Sequence, residues 1–297
     1  MIFSGVFAAL TTPYAHDGSV SLTDLKHNVQ RYNQTDLTGY VAVGSTGESV
    51  LLSRAEMDGI LATVKDAAKG KKILAGTGAE STAETIERTK RAAELGYDAA
   101  LVKTPYYYKN AYKPEVLLTH YRRVADESPI PVMLYSIPQF TGIAITASEA
   151  AALSEHPNII GMKDSSGNVQ GVAETIAAVP PKFQVLVGSA ASVYPSLAIG
   201  ARGAILALAC ALPEKCVALF ELFQQGHHEK ARELQALLVR ASKLIVSELS
   251  IAGVKYAMDQ RGYHGGIPRP PLLPLHHEQK KRLTDLLATL EPAAVRA

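Results

Sequence analysis

The sequence predicts an α/β fold, a (β/α)8 barrel carrying a C-terminal helical extension, on three observations. Eight short apolar runs recur along the first two thirds of the 297 residues, with starts separated by 34, 33, 26, 33, 27, 26 and 19 positions. Each interval holds one segment of helical periodicity, so the repeat is a strand–helix unit. The runs are apolar on both faces rather than alternating, the pattern of parallel strands covered on both sides. Eight such units close a TIM barrel, whereas a doubly wound open sheet more often stops at about five to seven strands.

In chain order the strands are expected at Gly5–Leu10, Gly39–Val43, Lys72–Ala75, Asp98–Val102, Pro131–Tyr135, Asn158–Met162, Gln184–Val187 and Gly203–Ala207. Helices such as Leu22–Tyr32, Ser53–Ala68, Ser81–Leu95 and Pro114–Ala125 fall between them. From about Gly226 the periodicity is helical in Glu229–Val246 and Glu278–Leu287, separated by the Gly/Pro-rich turn Gly262–Pro274. Residues 1–225 are therefore assigned to the barrel and 226–297 to the extension, whose apolar stripes suit covering barrel helices or an interface. No low-complexity tract or charge block marks a linker between them.

Composition narrows the function classes. Thirty Lys and Arg against 28 Asp and Glu leave a net charge of +2, too balanced for a phosphate-dominated nucleic-acid footprint. The longest apolar run, Ala204–Leu212, is about half of what a membrane span requires. The start, MIFSGVFAALTTP, lacks a basic region and reads as a first strand, so a soluble cytoplasmic protein is expected. The two cysteines, Cys210 and Cys216, form no CxxC pair and read as core thiols. The paired histidines His227-His228 and His276-His277 sit at exposed-looking helix starts, and no His/Cys cluster gathers at the strand ends, so neither a metal nor a cofactor is expected.

Substrates of this fold bind where the strands end, so the polar residues closing each run are the candidates. They include Gly44-Ser45-Thr46-Gly47-Glu48, Gly76-Thr77-Gly78, Lys103-Thr104-Pro105-Tyr106-Tyr107, Tyr135, Lys163-Asp164-Ser165 and Gly188-Ser189. Lys163 would point its amine into the barrel mouth, where desolvation favours the neutral form that attacks a ketone to give a Schiff base. The ordinary alternative is a lysine whose stem packs on the rim with a solvated head. Lys103 ends the fourth strand equivalently, and topology does not choose between the two. Tyr135, on the strand next to Lys163, could move the protons that carbinolamine chemistry requires, with Ser45 or Thr46 and Tyr107 as relay partners. Its plain reading is a core tyrosine with a wet tip, and Tyr106-Tyr107-Tyr108 could equally be an interface patch. The Gly44–Gly47 turn, leading into a helix, offers hydroxyls and N–H groups for a carboxylate or phosphate. It is not a Walker A loop. Gly76–Ser81 has a serine where a dinucleotide fingerprint needs its third glycine.

Four ordered motifs, Gly44-Ser45-Thr46-Gly47-Glu48, Thr104-Pro105-Tyr106-Tyr107, Tyr135-Ser136-Ile137-Pro138 with Thr141-Gly142, and Gly161-Met162-Lys163-Asp164, together resemble the Schiff-base pyruvate aldolases and lyases that include dihydrodipicolinate synthase and N-acetylneuraminate lyase. The similarity spans nearly the whole chain. It implies Lys163 rather than Lys103 as the imine-forming lysine, and Tyr135 as the proton-transferring phenol with Thr46 and Tyr107. It implies Ser45 and Thr46 as carboxylate ligands and Ile205 lining the site through its backbone. It also implies a homotetramer, a dimer of dimers, in which Tyr107 enters a neighbouring subunit's site. Ser165 and Ser189 are placed to touch the variable half of the substrate.

Within the family, dihydrodipicolinate synthases carry an arginine two residues after the proline of the Tyr135 motif, where this chain has Phe140. A phenyl ring cannot replace a bidentate guanidinium. The stretches 128–136 and 156–165 look closest to 4-hydroxy-2-oxoglutarate aldolases. The expectation is thus a cofactor-free lyase joining pyruvate to an aldehyde, glyoxylate first. The alternatives are synthesis of dihydrodipicolinate from aspartate semialdehyde, a dehydratase or deaminase using the same lysine, and, from another class, a non-catalytic protein that binds 2-oxo acids.

Overall fold

The computed structural model describes residues 2–290; Met1 and residues 291–297, the tail of the expected extension, lie outside them. Eight parallel strands close into a barrel in chain order: β1 (Gly5–Ala9), β2 (Gly39–Ala42), β3 (Lys72–Gly76), β4 (Ala99–Lys103), β5 (Val132–Ser136), β6 (Ile159–Asp164), β7 (Gln184–Val187) and β8 (Gly203–Leu206). β1 pairs with β2 on one side and with β8 on the other, so no strand edge is left open.

Successive side chains point to opposite faces of the strands, and both faces are buried. On β5, Met133 and Tyr135 belong to an inner cluster with Phe7, Leu74, Leu101, Leu186 and Ile205. Val132 and Leu134 turn outward into the layer beneath the helices. That double burial is the physical origin of the non-alternating apolar runs.

The covering helices are α1 (Leu22–Tyr32), α2 (Arg54–Ala67), α3 (Thr82–Glu94), α4 (Pro114–Glu127), the short α5 (Pro138–Thr141), α6 (Ala147–Ser154), α7 (Val169–Ala178), α8 (Val193–Ala198) and α9 (Pro213–Gln224). Their starts are set locally. Ser53 and Thr146 close capping boxes with Glu56 and Glu149, while Ser21, Ser81 and Asn168 accept from the N–H groups of the first turn.

The C-terminal region departs from the sequence expectation. The single helix expected at Glu229–Val246 is α10 (His228–Ala241) running into a π-helix at Ser242–Glu248. A further helix, α11 (Ser250–Gln260), stands where none was expected, before α12 (His277–Thr289). Leu238, Ala241, Ile245 and Leu283 join the same buried layer as the barrel's outer face. Cys210 and Cys216 are both buried and unpaired, and burial pushes the Cys210 thiol up to about 12. Among the described residues no helix is long and apolar enough to cross a membrane.

Candidate active site

The residues that end the strands converge on one cavity of about 250 Å³ at the C-terminal mouth of the barrel. Its wall includes Ser45, Thr46, Tyr135, Lys163, Ser165, Ser189 and Ile205, so seven of the eight site residues expected from sequence share one space. The register explains why: Lys103 pairs with Tyr135 and Tyr135 with Lys163, which aligns the three side chains across β4, β5 and β6.

Lys163 is 5% exposed, and its Nζ stands 4.2 Å from the centroid of the Tyr135 ring, which is 4% exposed. No carboxylate is paired with the Lys163 amine among the described residues. Space in front of it is kept by Gly188. A Cβ at that position would overlap Ser165 Oγ and stand 3.0 Å from Lys163 Cε.

Lys103 is the other amine in this layer, but it faces elsewhere. Its Nζ lies 3.9 Å from Glu80 Oε1 and 4.8 Å from the Tyr106 ring, and it takes no part in the cavity wall. Burial lowers its pKa, against the opposing pull of Glu80.

Of the two hydroxyls that the sequence offers as partners of the phenol, Ser45 is the one in contact with it. Ser45 Oγ lies 3.4 Å from Tyr135 OH, a long hydrogen-bond contact, whereas Thr46 lines the cavity and makes no hydrogen bond to the phenol. The turn that carries both hydroxyls differs from expectation, because it does not open directly into an α-helix. Gly47 and Glu48 N–H groups close the turn on Gly44 and Ser45 carbonyls, a 3₁₀ turn follows at Ser49–Leu51, and α2 begins only at Arg54.

Tyr107 is the eighth expected residue and the one outside the cavity. It is 72% exposed, stacked edge-on against Tyr108 at 5.0 Å, and its N–H donates to Glu80. Within one chain it does not reach Tyr135.

Sequence reasoning missed the far wall. Ser242, Val246 and Ser247 of the π-helix, with Ser250, Ile251 and Val254 of α11, close the cavity opposite the strand ends. On the remaining side Gln139 donates to Ser165 O and Phe140 stands 60% exposed. Lys163 is the one charged side chain in the wall. The backbone around the cavity is strained: the non-glycine residues with left-handed φ among those described are Val43 (57°), Glu48 (58°) and Ser250 (52°). Two of them bracket the Ser45–Thr46 turn and the third lines the wall.

Other recesses offer less. A groove of about 840 Å³ runs outside the barrel between α3 and α4, lined by Glu80, Thr82, His120 and Arg123, away from the strand ends that carry Lys163 and Tyr135. Among the described residues no group of three or more His, Cys, Asp or Glu could hold a metal ion.

Comparison with known proteins agrees with the fold. Residues 2–290 match the model of the dihydrodipicolinate synthetase family. A 4-hydroxy-tetrahydrodipicolinate synthase of Natronomonas pharaonis is 38% identical over 290 residues, covering 97% of this chain and 98% of that protein. Among solved structures, dihydrodipicolinate synthase DapA-2 of Bacillus anthracis superposes with a TM-score of 0.94 at 30% identity, covering 98% of this chain and 100% of the other. The chloride-inhibited dihydrodipicolinate synthase of Acinetobacter baumannii complexed with pyruvate gives a TM-score of 0.91 at 33% identity, covering 96% and 98%.

Proposed function

The chain belongs to the dihydrodipicolinate synthetase family of Schiff-base pyruvate lyases, and from that premise we propose that Lys163 forms an imine with pyruvate that then adds to, or is released from, an aldehyde. The observation that carries this is the buried, acid-free Lys163 amine against the Tyr135 ring, with open cavity before it. The amine adds to C2 of pyruvate and water leaves. The iminium draws electrons from the methyl carbon, a proton departs, and the resulting enamine attacks the aldehyde carbon. Tyr135, with Ser45 rather than Thr46 at its hydroxyl, passes protons to and from the oxygens. Ser45 and Thr46 hold the carboxylate, Ile205 lines the opposite side, and Ser165 and Ser189 face the aldehyde. Tyr107 completes the relay of a neighbouring copy in a homotetramer.

For the aldehyde, one reading is glyoxylate and hence 4-hydroxy-2-oxoglutarate aldolase activity, resting on Phe140 standing in the wall where a bidentate arginine would pair with a dicarboxylate partner. A second reading, 4-hydroxy-tetrahydrodipicolinate synthase using aspartate semialdehyde, is favoured over it by the names of the relatives.

Borohydride reduction in the presence of pyruvate, followed by peptide mapping, tests the common step, with a stable adduct on Lys163 expected. An adduct on Lys103 would move the site, and no adduct on folded protein would favour a non-catalytic binder. Pyruvate consumption driven by glyoxylate against aspartate semialdehyde then separates the two readings: preference for the semialdehyde discards the first.

A further inference from the structure

Behind the Ser45–Thr46 turn, on the side away from the cavity, lies a set of charges that the chemistry does not use. Glu48, three residues after Ser45, is buried with its backbone in the left-handed region. Its Oε1 stands 2.7 Å from Lys255 Nζ, and both side chains are fully buried. Its Oε2 accepts from the Arg269 N–H at 2.7 Å. Lys255 Nζ also donates to Ile267 O at 2.9 Å. The Arg269 guanidinium grips Glu56 with two nitrogens and donates to Leu51 O and Gly18 O. The Tyr14 ring is held between the two cations, 4.3 Å from Lys255 Nζ and 4.4 Å from Arg269 Cζ.

A buried ion pair is weak evidence of stability, since apolar residues of similar volume often replace one without loss. What the charges do here is geometric. They tie three separate segments, the loop after β1, helix α11 and the strap at 267–269, to the loop after β2, whose turn is strained at both ends by Val43 and Glu48. Strained backbone of this kind persists only where its surroundings over-determine it. Lys255 lies next to Val254, which with Ile251 forms the cavity wall. The same ion pair therefore fixes the distance between that wall and the hydroxyl-bearing turn.

We propose that Glu48, Lys255 and Arg269 are positioning residues that hold the Ser45–Thr46 turn in register with the α11 wall, and so set the affinity of the cavity for a 2-oxo acid. This rests on the cavity being the pyruvate site.

The test uses the full chain and pyruvate. The pyruvate concentration giving half-maximal borohydride trapping at Lys163 is measured for the wild type, Lys255→Met, and the double variant Glu48→Gln/Lys255→Met, which leaves no unpaired buried charge. Melting temperature and circular dichroism follow the fold. The double variant is expected to fold, to need at least ten-fold more pyruvate for half-maximal trapping, and to reach the wild-type adduct level at saturation, because the amine itself is untouched. In turnover the loss should appear in KM for pyruvate more than in kcat. A folded double variant with wild-type half-saturation overturns the proposal. So does a loss that disappears when both proteins are compared at equal distance below their melting temperatures. If the double variant does not fold, Lys255→Met, which breaks the Glu48 pair, and Arg269→Gln, which frees the strap from Glu56, Leu51 O and Gly18 O, decide together: a shift of about three-fold or more in either supports the device and no shift in both rejects it. Absence of any adduct in the wild type condemns the pyruvate reading and is thereby distinguished from failure of the positioning device.

Discussion

Lys103 and Lys163 end strands on either side of β5 and are both in register with Tyr135, yet they face different surroundings. Lys163 opens onto a cavity that Gly188 keeps clear. Lys103 is turned to Glu80 and the Tyr106 ring, beside the buried His120. Burial lowers the pKa of Lys103, and also that of Lys255 behind the Ser45 turn. Depressed basicity therefore nominates amines that face no substrate space at all. What distinguishes Lys163 is room for a carbonyl carbon and a phenol beside it, and the nucleophile has to be assigned from access as well as from charge.

The sharpest way to break the contrast is Lys163→Ala. Removing the attacking amine is expected to abolish pyruvate trapping and to lower the rate of carbon–carbon bond formation or cleavage by at least about 10⁴-fold, as loss of a covalent nucleophile does. Retention of trapping would transfer the role to Lys103. The next largest effect is Tyr135→Phe, which keeps the ring over Lys163 and removes the hydroxyl near Ser45. A loss of about 10²–10⁴-fold in kcat is expected from removing a proton-transferring group, with slow trapping of pyruvate still on Lys163. Stopped-flow trapping separates the two variants, and equal rates for Tyr135→Phe and wild type would remove the phenol from the mechanism.

The neighbourhood of Lys103 makes its own prediction, in stability rather than rate. His120 is buried, Thr82 Oγ1 lies 2.9 Å from its Nδ1, and burial together with the Lys103 charge lowers its pKa from 6.5 to about 4. The folded state therefore binds this proton less readily than the unfolded chain does. Its neutral form is favoured in both states at pH 7, and stability is lost as pH falls from about 6.5 to about 4. The full effect is about 3 kcal/mol at one unit of pKa per 1.4 kcal/mol. In urea unfolding at pH 7, 5 and 4, His120→Gln should lose less stability with acidification than the wild type by about that amount. Parallel curves for the two proteins would show that His120 does not titrate in this way.

How far the sequence disclosed all this depends on which physical signal each part leaves. Strands such as Val132–Ser136 were legible because a strand buried on both faces is a continuous apolar run, and the barrel followed from counting them. The meeting of Lys163 and Tyr135 in one cavity was legible, since both lie where such runs end, and the resemblance carried by the four motifs is what proposes Lys163 over Lys103. Helix α11 was not legible. Gly253 reads as a helix breaker, but a Cβ there would overlap Ile245 O and stand 2.5 Å from Leu249 Cβ, so the glycine is what lets α11 pack against the π-helix. The cavity wall built from these two elements was lost with it. Ser45 and Thr46 were indistinguishable as adjacent hydroxyls. Which of them meets the phenol depends on left-handed backbone at Val43 and Glu48, and a β-branched valine gives no hint of positive φ. The clamp of Lys255 on Glu48 joins residues 207 positions apart and has no local pattern to announce it.

The smallest expected effect belongs to Lys103→Met, and it tests the comparison from its quiet side. Methionine keeps most of the stem's apolar contact and removes the charge, so the Tyr106 ring retains a neighbour while Glu80 loses its cation at 3.9 Å. That pair is long and partly exposed, and its loss is expected to change stability by less than about 1 kcal/mol. Glu80 still accepts the Tyr106 and Tyr107 N–H groups, so the loop bearing Tyr107 stays anchored. The pyruvate adduct should remain on Lys163 at wild-type stoichiometry, with kcat within about three-fold of the wild type, since a modest shift of the loop disturbs only a group acting at a distance. The lowered charge near His120 should raise that imidazole's pKa toward 6.5, so that the acid loss of stability ends at higher pH and is smaller, because Lys103 is one of the groups that holds it down. A Lys103→Met protein that forms no adduct while folding normally would mean that the amine turned toward Glu80 in this structure turns back toward Tyr135 when substrate arrives.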